Sequence, residues 1–291
     1  METTELLKKV RKIEIKTRGL SSQVLSGEYH SAFKGHGMTF SEVREYQQGD
    51  DIRSIDWNVS ARLRTPFVKV FQEERELTVM LIVDVSGSRE FGSQKNIKQD
   101  IITELCAVLA FSAIQNNDKI GVIFFSDIIE KFIPPKKGKM HILRIIRELL
   151  DFQPKNRKTD ISQALKYFNS VIKKRSTAFL ISDFIDEGFE TAMKIANRKH
   201  DLVALQIYDE RENELPDVGL VKMADAETGD LIWVDTSKKA VRYAYATEAR
   251  KHEAVLSDIL RRAGVDFAKI STNQSYVQPL MRLFKRRESR K

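Results

Sequence analysis

The chain has 291 residues, of which 42% are hydrophobic and 31% charged, and a formal net charge of +8. That length buries a substantial core as one large domain or two unequal ones, and the composition excludes collagen-like and disordered classes. The single cysteine, Cys106, excludes an internal disulfide framework. No aliphatic run approaches the length of a bilayer span, and Met1–Leu20 lacks the apolar region of a secretory signal, so a cytoplasmic protein is expected.

The charge is concentrated at one end. Between Arg282 and Lys291 stand six basic residues and one Glu, which is +5 of the +8. Such a tail reads first as a solvated helix end, with a nucleic-acid arm as the alternative. No recognition-helix, aromatic-platform or zinc-finger pattern accompanies it.

In chain order, Thr4–Arg18 reads as a helix ended by Gly19. Residues 20–75 lack a sustained helical period and hold the polar cluster Gly49–Trp57, which reads as a small, irregular, partly β region, with a strand at Val68–Phe71. Asp50, Asp51, Arg53, Asp56 and Arg62 form either a structural salt-bridge network or a partner surface. The structural reading is favoured, with Trp57 and Ile55 anchoring the segment to the core.

Val79–Val83 is a continuous, β-branched apolar run, as a central strand buried on both faces requires. Asp84 ends it, and Ser86 and Ser88 follow around Gly87. A helix at Gln94–Gln115 carries Ile97, Ile101, Leu105, Val108, Leu109 and Ser112 on one stripe, with Cys106 in the core. Strands at Lys119–Ser126 and Ile129–Ile133 are close enough for an antiparallel hairpin, which Pro134-Pro135 is expected to stop. Helices at Lys139–Leu150 and Ile161–Lys173, a strand at Ala178–Ser182 closed by Asp183, a helix at Phe189–Arg198 and a strand at Leu202–Tyr208 continue the alternation. Val218–Met223 and Leu231–Asp235 read as a hairpin. The helix Lys239–Arg262 capped by Gly264, the strand Asp266–Ile270 and a basic helix complete the chain.

Alternating strands and helices specify an α/β fold, a doubly wound, mostly parallel sheet flanked by helices. The division expected is 1–75 for the irregular N-terminal region and 76–291 for the sheet domain, with a hairpin insertion at about 211–238. That insertion is long and acidic. It reads either as a solvated hairpin extending the sheet edge or as a gate that borders the site and lends it a carboxylate.

In open α/β sheets ligands bind at the carboxyl ends of the strands. If the strands concerned are neighbours, Asp84, Ser86, Ser88, Thr159 and Asp183 converge there. Oxygen donors without His or Cys suit a hard ion such as Mg²⁺ or Mn²⁺, with a coordination position left for an outside carboxylate. Structural readings stand beside this one: Ser-Gly-Ser as a turn, and Thr159-Asp160 as a helix N-cap. His30 and His36 lack the companions of a zinc site and read as loop histidines.

Asp84-x-Ser86-x-Ser88 with Thr159 and Asp183 resembles the metal-ion-dependent adhesion site of von Willebrand factor A domains. Phe33–Met38, Gly49–Arg62 and Val68–Arg75 are similar to the signature of a bacterial family, domain of unknown function fifty-eight, and the resemblance runs from about residue 20 to 285. It implies a von Willebrand factor A-like fold and a cytoplasmic, non-catalytic binding module. It further implies a partner that offers the metal a carboxylate, and work beside a MoxR-class AAA-plus ATPase as adaptor or chaperone-like partner. Arg89 departs from the pattern, which usually has Met there. An enzymatic alternative makes Asp84 a phosphoryl-accepting nucleophile, but the general acid expected two residues on is replaced by Ser86, whose hydroxyl is too weak an acid for that role.

Overall fold

The computed structural model describes residues 10–14, 29, 39–72, 77–87, 98–224 and 231–290. They fall into two compact units, one within Lys34–Leu77 and the other comprising Thr78–Lys291 with the described part of Met1–Phe33.

In the smaller unit, β1 (Thr39–Glu45) pairs antiparallel with β2 (Phe67–Gln72). Between them, Asp51 caps a 3₁₀ turn at Ile52–Ser54, and Asp56 caps α1 (Trp57–Leu63) by accepting from the backbone N–H groups of Asn58 and Val59 at 3.0 and 3.3 Å. Arg44 holds Asp50 through two N–H···O bonds of 2.7 and 2.8 Å, and Lys69 lies 3.4 Å from Asp56. The acidic residues of the cluster therefore serve turns, caps and pairs. Trp57 does not anchor the segment to the core: it is 68% exposed, and α1 has no buried residue. Asp56 fixes where the helix starts whatever its faces meet, and Val68, paired in a β-bridge with Ile55, is buried.

The larger unit is built on a six-stranded sheet of order β10-β7-β6-β3-β4-β5. Its strands are β3 (Thr78–Asp84), β4 (Lys119–Phe125), β5 (Ile129–Lys136), β6 (Thr177–Ser182), β7 (Asp201–Tyr208) and β10 (Asp266–Ser271). All neighbours are parallel except β4 and β5. Between the strands run α2 (Lys98–Gln115), α3 (Lys139–Asp151), α4 (Ile161–Val171), α5 (Glu190–Lys199) and α6 (Lys239–Ala263), and α7 (Val277–Glu288) follows β10. Met80, Ile82, Ile123, Ala178, Leu180, Leu202 and Ala204 pack with apolar residues of α4, α5 and α6. Alternate residues point the other way, where Phe124 meets Phe152 just beyond α3 at 5.0 Å. The sheet is doubly wound and mostly parallel, with helices on both faces, as expected.

From β3 the chain moves to β4 on one side, then returns to β6 on the other and continues outward to β7 and β10. The winding reverses between β3 and β6, which is where such sheets open a crevice.

Three local expectations differ. β5 runs through Pro134-Pro135 to Lys136, because an edge strand needs no N–H on its outer side and the pairing with β4 shifts register at this point. Gly121 sits opposite, where a Cβ would meet Pro135 N at 2.8 Å and Ile133 O at 2.9 Å. α2 is not a one-sided stripe but is buried nearly all round from Ile101 to Ala113. The hairpin β8 (Leu220–Ala224) and β9 (Leu231–Asp235) forms a two-stranded sheet of its own and does not extend the main one. In the basic tail, Arg287 lies 2.5 Å from Asp201 and 2.8 Å from Asp266, and Arg290 lies 2.8 Å from Asp266, so part of its charge is spent within the fold.

Candidate functional site

Asp84 ends β3 in a buried position, and both of its carboxylate oxygens are engaged. Oδ1 accepts from the Ser86 backbone N–H at 2.9 Å, and Oδ2 accepts from the Ser182 hydroxyl, at the end of β6, at 2.6 Å. Burial, and after it the charge of Asp183, pushes the Asp84 carboxyl up to about 6, against the hydrogen bonds from Ser182 and Ser86. Ser86 is 2% exposed.

Asp183 follows β6 directly. The next residue, Phe184, has a left-handed φ of 62°, a conformation that costs a side-chain-bearing residue about 1–3 kcal/mol and is found at functional turns. The Phe184 N–H bonds the Ser182 hydroxyl at 3.0 Å and its ring packs on Phe189. This turn keeps Asp183 at the strand end. Its Oδ2 lies 3.0 Å from Lys98 Nζ, and the same ammonium is 2.6 Å from Glu212 Oε1, in a 3₁₀ turn just beyond β7. Lys98 is 1% exposed. Burial works against its charge, but Asp183 and Glu212 outweigh that and hold the ammonium above its usual range. Burial raises the Glu212 carboxyl, with Lys98 opposing.

The third contribution is the segment between α3 and α4. Glu130 Oε1 accepts from the Ser126 hydroxyl at 2.9 Å and from the backbone N–H groups of Lys155 and Asn156 at 2.9 and 3.2 Å. The Gly87 N–H then bonds Arg157 O at 3.0 Å, and the Asp160 N–H bonds Ser126 O at 3.0 Å. Asp160, and not Thr159, is the N-cap of α4, accepting from the Gln163 N–H at 2.7 Å, while Asp186 Oδ2 accepts from the Ile161 N–H at 2.8 Å. Thr159 is half-buried, and its hydroxyl has no hydrogen bond among the described residues. A cleft of 510 Å³ opens beside Ser86 and Gly87, with Lys155 and Arg157 among its lining residues.

Of the five expected site residues, the structure gathers Asp84, Ser86 and Asp183 at the ends of adjacent strands. Thr159 rides on a segment tied to Gly87. Ser88 and Arg89 lie outside the described residues. Among the described residues no three His, Cys, Asp or Glu side chains form a metal-holding group, so an ion here needs the hydroxyls as well as the carboxylates. Ser182, Lys98 and Glu212 were not anticipated. Glu212 carries the one trace, as a carboxylate of the long acidic insertion.

A doubly wound, mostly parallel α/β sheet with buried carboxylates and hydroxyls at its switch point is the class defined by this architecture. Within it, the chain belongs to the family described as "Protein of unknown function DUF58", whose model matches residues 42–255. The uncharacterized protein Rv1480 of Mycobacterium tuberculosis is 27% identical over 285 residues, 97% of this chain and 90% of that protein. Among solved structures, the conserved hypothetical protein BatB from Bacteroides thetaiotaomicron is 14% identical, with a TM-score of 0.47 over 73% of this chain and 99% of that one. Proximal thread matrix protein 1 from the mussel byssus, solved with a zinc-occupied MIDAS motif, is 17% identical, with a TM-score of 0.37 over 45% of this chain and 38% of that one. Likenesses this distant carry no argument about ligand or activity. No helix among the described residues is long and apolar enough to cross a membrane.

Proposed function

We propose that the chain is a non-catalytic, metal-dependent protein-binding module, and that it serves as adaptor or chaperone-like partner of a MoxR-class AAA-plus ATPase in the cytoplasm. Asp84, Ser86, Ser88, Thr159 and Asp183 hold a Mg²⁺ or Mn²⁺ ion in this reading. The observation that carries it is the juxtaposition of Asp84 and Asp183, two buried carboxylates at the ends of adjacent strands, where burial first and then the charge of Asp183 raises the Asp84 carboxyl. With Glu212 and Lys98 the cluster holds three carboxylates against one ammonium. The net charge of −2 is what a divalent cation neutralises, and oxygen donors without His or Cys match a hard ion.

When bound, the metal supplies a Lewis-acidic position for a partner's carboxylate. The chain's own residues supply the rest. Lys155 and Arg157 border the cleft beside Ser86 and favour an approaching anion, while Ser182 and the Ser86 N–H orient Asp84. The ATPase partner rests on the family resemblance alone.

The test is capture from cytosol on immobilised full-length chain, with Mg²⁺ or with chelator, for wild type and Asp84→Ala. The expected result is an AAA-plus ATPase retained only by wild type in Mg²⁺. Equal capture under all conditions would refute the metal-dependent reading, and nuclease-sensitive recovery of nucleic acid would move the assignment to the basic tail.

A further inference from the structure

The hairpin of β8 and β9 is pinned at its base by Thr236, a buried residue. Its N–H and its hydroxyl both donate to Gly219 O, at 2.8 and 2.7 Å, and the hydroxyl accepts from the Val218 N–H at 3.1 Å. Gly219 and Thr236 are thus a hydrogen-bonded pair, and the even register carries the alternation on to Val221 with Val234 and Met223 with Ile232. The backbone N–H and C=O groups of Leu220 and Lys222 therefore point outward from β8, and those of Leu231 and Trp233 outward from β9. No strand pairs with either edge among the described residues. A two-stranded sheet is marginal by itself, and a third strand is one addition that makes it stable.

The two edges differ. Exposed edges are ordinarily guarded by a charge, a proline or a bulge. β8 has Lys222 at its centre, whereas residues 231–234 of β9 are apolar in a row, with Leu231, Ile232 and Trp233 each more than half exposed and no shift in register. One face of the hairpin presents Leu220, Leu231 and Trp233, with Lys222 Nζ 6.0 Å from the Trp233 ring. The connection between the strands, residues 225–230, has Asp225, Glu227 and Asp230 and no basic residue in its sequence. At the base Asp217 meets Arg242 and Asp235 meets Lys238, so the connection sets the sign of the charge here. That sign turns away nucleic acid, an anionic membrane surface and the hairpin of a second copy, and it favours a basic polypeptide.

We propose that β9 is a docking edge for an extended, basic segment of a protein partner, which adds to it as a third strand. The outward N–H and C=O groups of Leu231 and Trp233 supply the main-chain bonds. Apolar side chains of the segment lie beside Leu231 and Trp233, and Lys222 on that face assigns the basic side chains to the alternate positions. This contact needs no metal, so it stands or falls separately from the function proposed above.

The experiment titrates the ¹⁵N-labelled full chain in chelator with the peptide acetyl-Arg-Val-Arg-Val-Arg-Val-amide, with its counterpart carrying Glu for each Arg, and with one carrying Pro for the second Val, which removes a main-chain donor. Saturable shifts of the Leu231 and Trp233 amides are expected with the first peptide, and their hydrogen exchange should slow at least tenfold. The Glu and Pro peptides should bind at least fivefold more weakly. Trp233→Lys and Leu231→Lys, both at exposed positions, should weaken binding as far, while exchange at Val221 and Val234, inside the ladder, stays that of wild type. Absence of saturable shifts, equal binding of the Glu or the Pro peptide, or affinity unchanged in both variants overturns the proposal. Protection of the Leu231 and Trp233 amides that grows with protein concentration before peptide is added overturns the basic partner and assigns the edge to a second copy.

Discussion

The ammonium of Lys98 lies 3.0 Å from Asp183 Oδ2, with both side chains buried and the two residues 85 positions apart in the chain. A fixed cation has thus been placed among the acidic groups of the site. Breaking a buried pair by removing one partner leaves the other uncompensated, a loss of about 3–5 kcal/mol. Lys98→Met is expected to lose stability on that scale in chelator and to recover part of it in Mg²⁺, as read by urea unfolding. A loss below about 1 kcal/mol would mean that the pair is incidental.

Glu130 organises the segment that carries Thr159, since one carboxylate oxygen receives three donors. Glu130→Ala strands the Lys155 and Asn156 amides and is expected to cost about 1–3 kcal/mol. Hydrogen exchange at those two amides should quicken at least tenfold while that of the β3 amides changes little. Unchanged exchange at Lys155 and Asn156 would show that the segment is held by other contacts.

Gly121 is expected to tolerate no side chain. A Cβ would meet Met80 Sδ, the end of a flexible side chain, and also Pro135 N and Ile133 O, which are backbone of the partner strand and cannot swing away. Gly121→Ala should destabilise by about 1–3 kcal/mol through overpacking. Thermal melts of the variant decide it.

His200 is fully buried, with its ring 4.3 Å from that of Phe168 and Nδ1 3.0 Å from the Ser176 hydroxyl. Burial, then the charges of Lys199 and Arg175, lower its pKa to about 4. Below about pH 6.5 the unfolded chain takes up a proton that the native imidazole refuses until pH 4. The contribution to stability is therefore complete above the unfolded value and is lost as pH falls through this window. The loss expected from this residue is about 1–3 kcal/mol. Comparing wild type with His200→Gln between pH 7 and pH 4.5 isolates it. Identical slopes would contradict the assignment.

The fold was legible wherever a local pattern decides the outcome. Val79–Val83 reads as a central strand because β-branched residues fill both faces, and Gly264 reads as a cap because its left-handed φ of 66° suits glycine. Asp84, Ser86 and Asp183 were visible because strand ends are where a doubly wound sheet presents its ligands. The misses share a cause. Pro134-Pro135 stops a strand only where both sides are paired, and nothing local tells that β5 is an edge. Trp57 is apolar enough for a core, but its place is set by the cap at Asp56. Lys98 and Glu212 are ordinary charged residues in a helix and a turn until the chain is folded and they are buried against Asp183.

The most direct test of the central claim is calorimetric titration of Mn²⁺ into chelator-stripped full-length chain, alongside Asp84→Asn and Asp183→Asn. The account predicts saturable binding of one ion per chain, weakened at least tenfold in each variant. No saturable binding by the wild type, or an affinity that both variants retain, would contradict it.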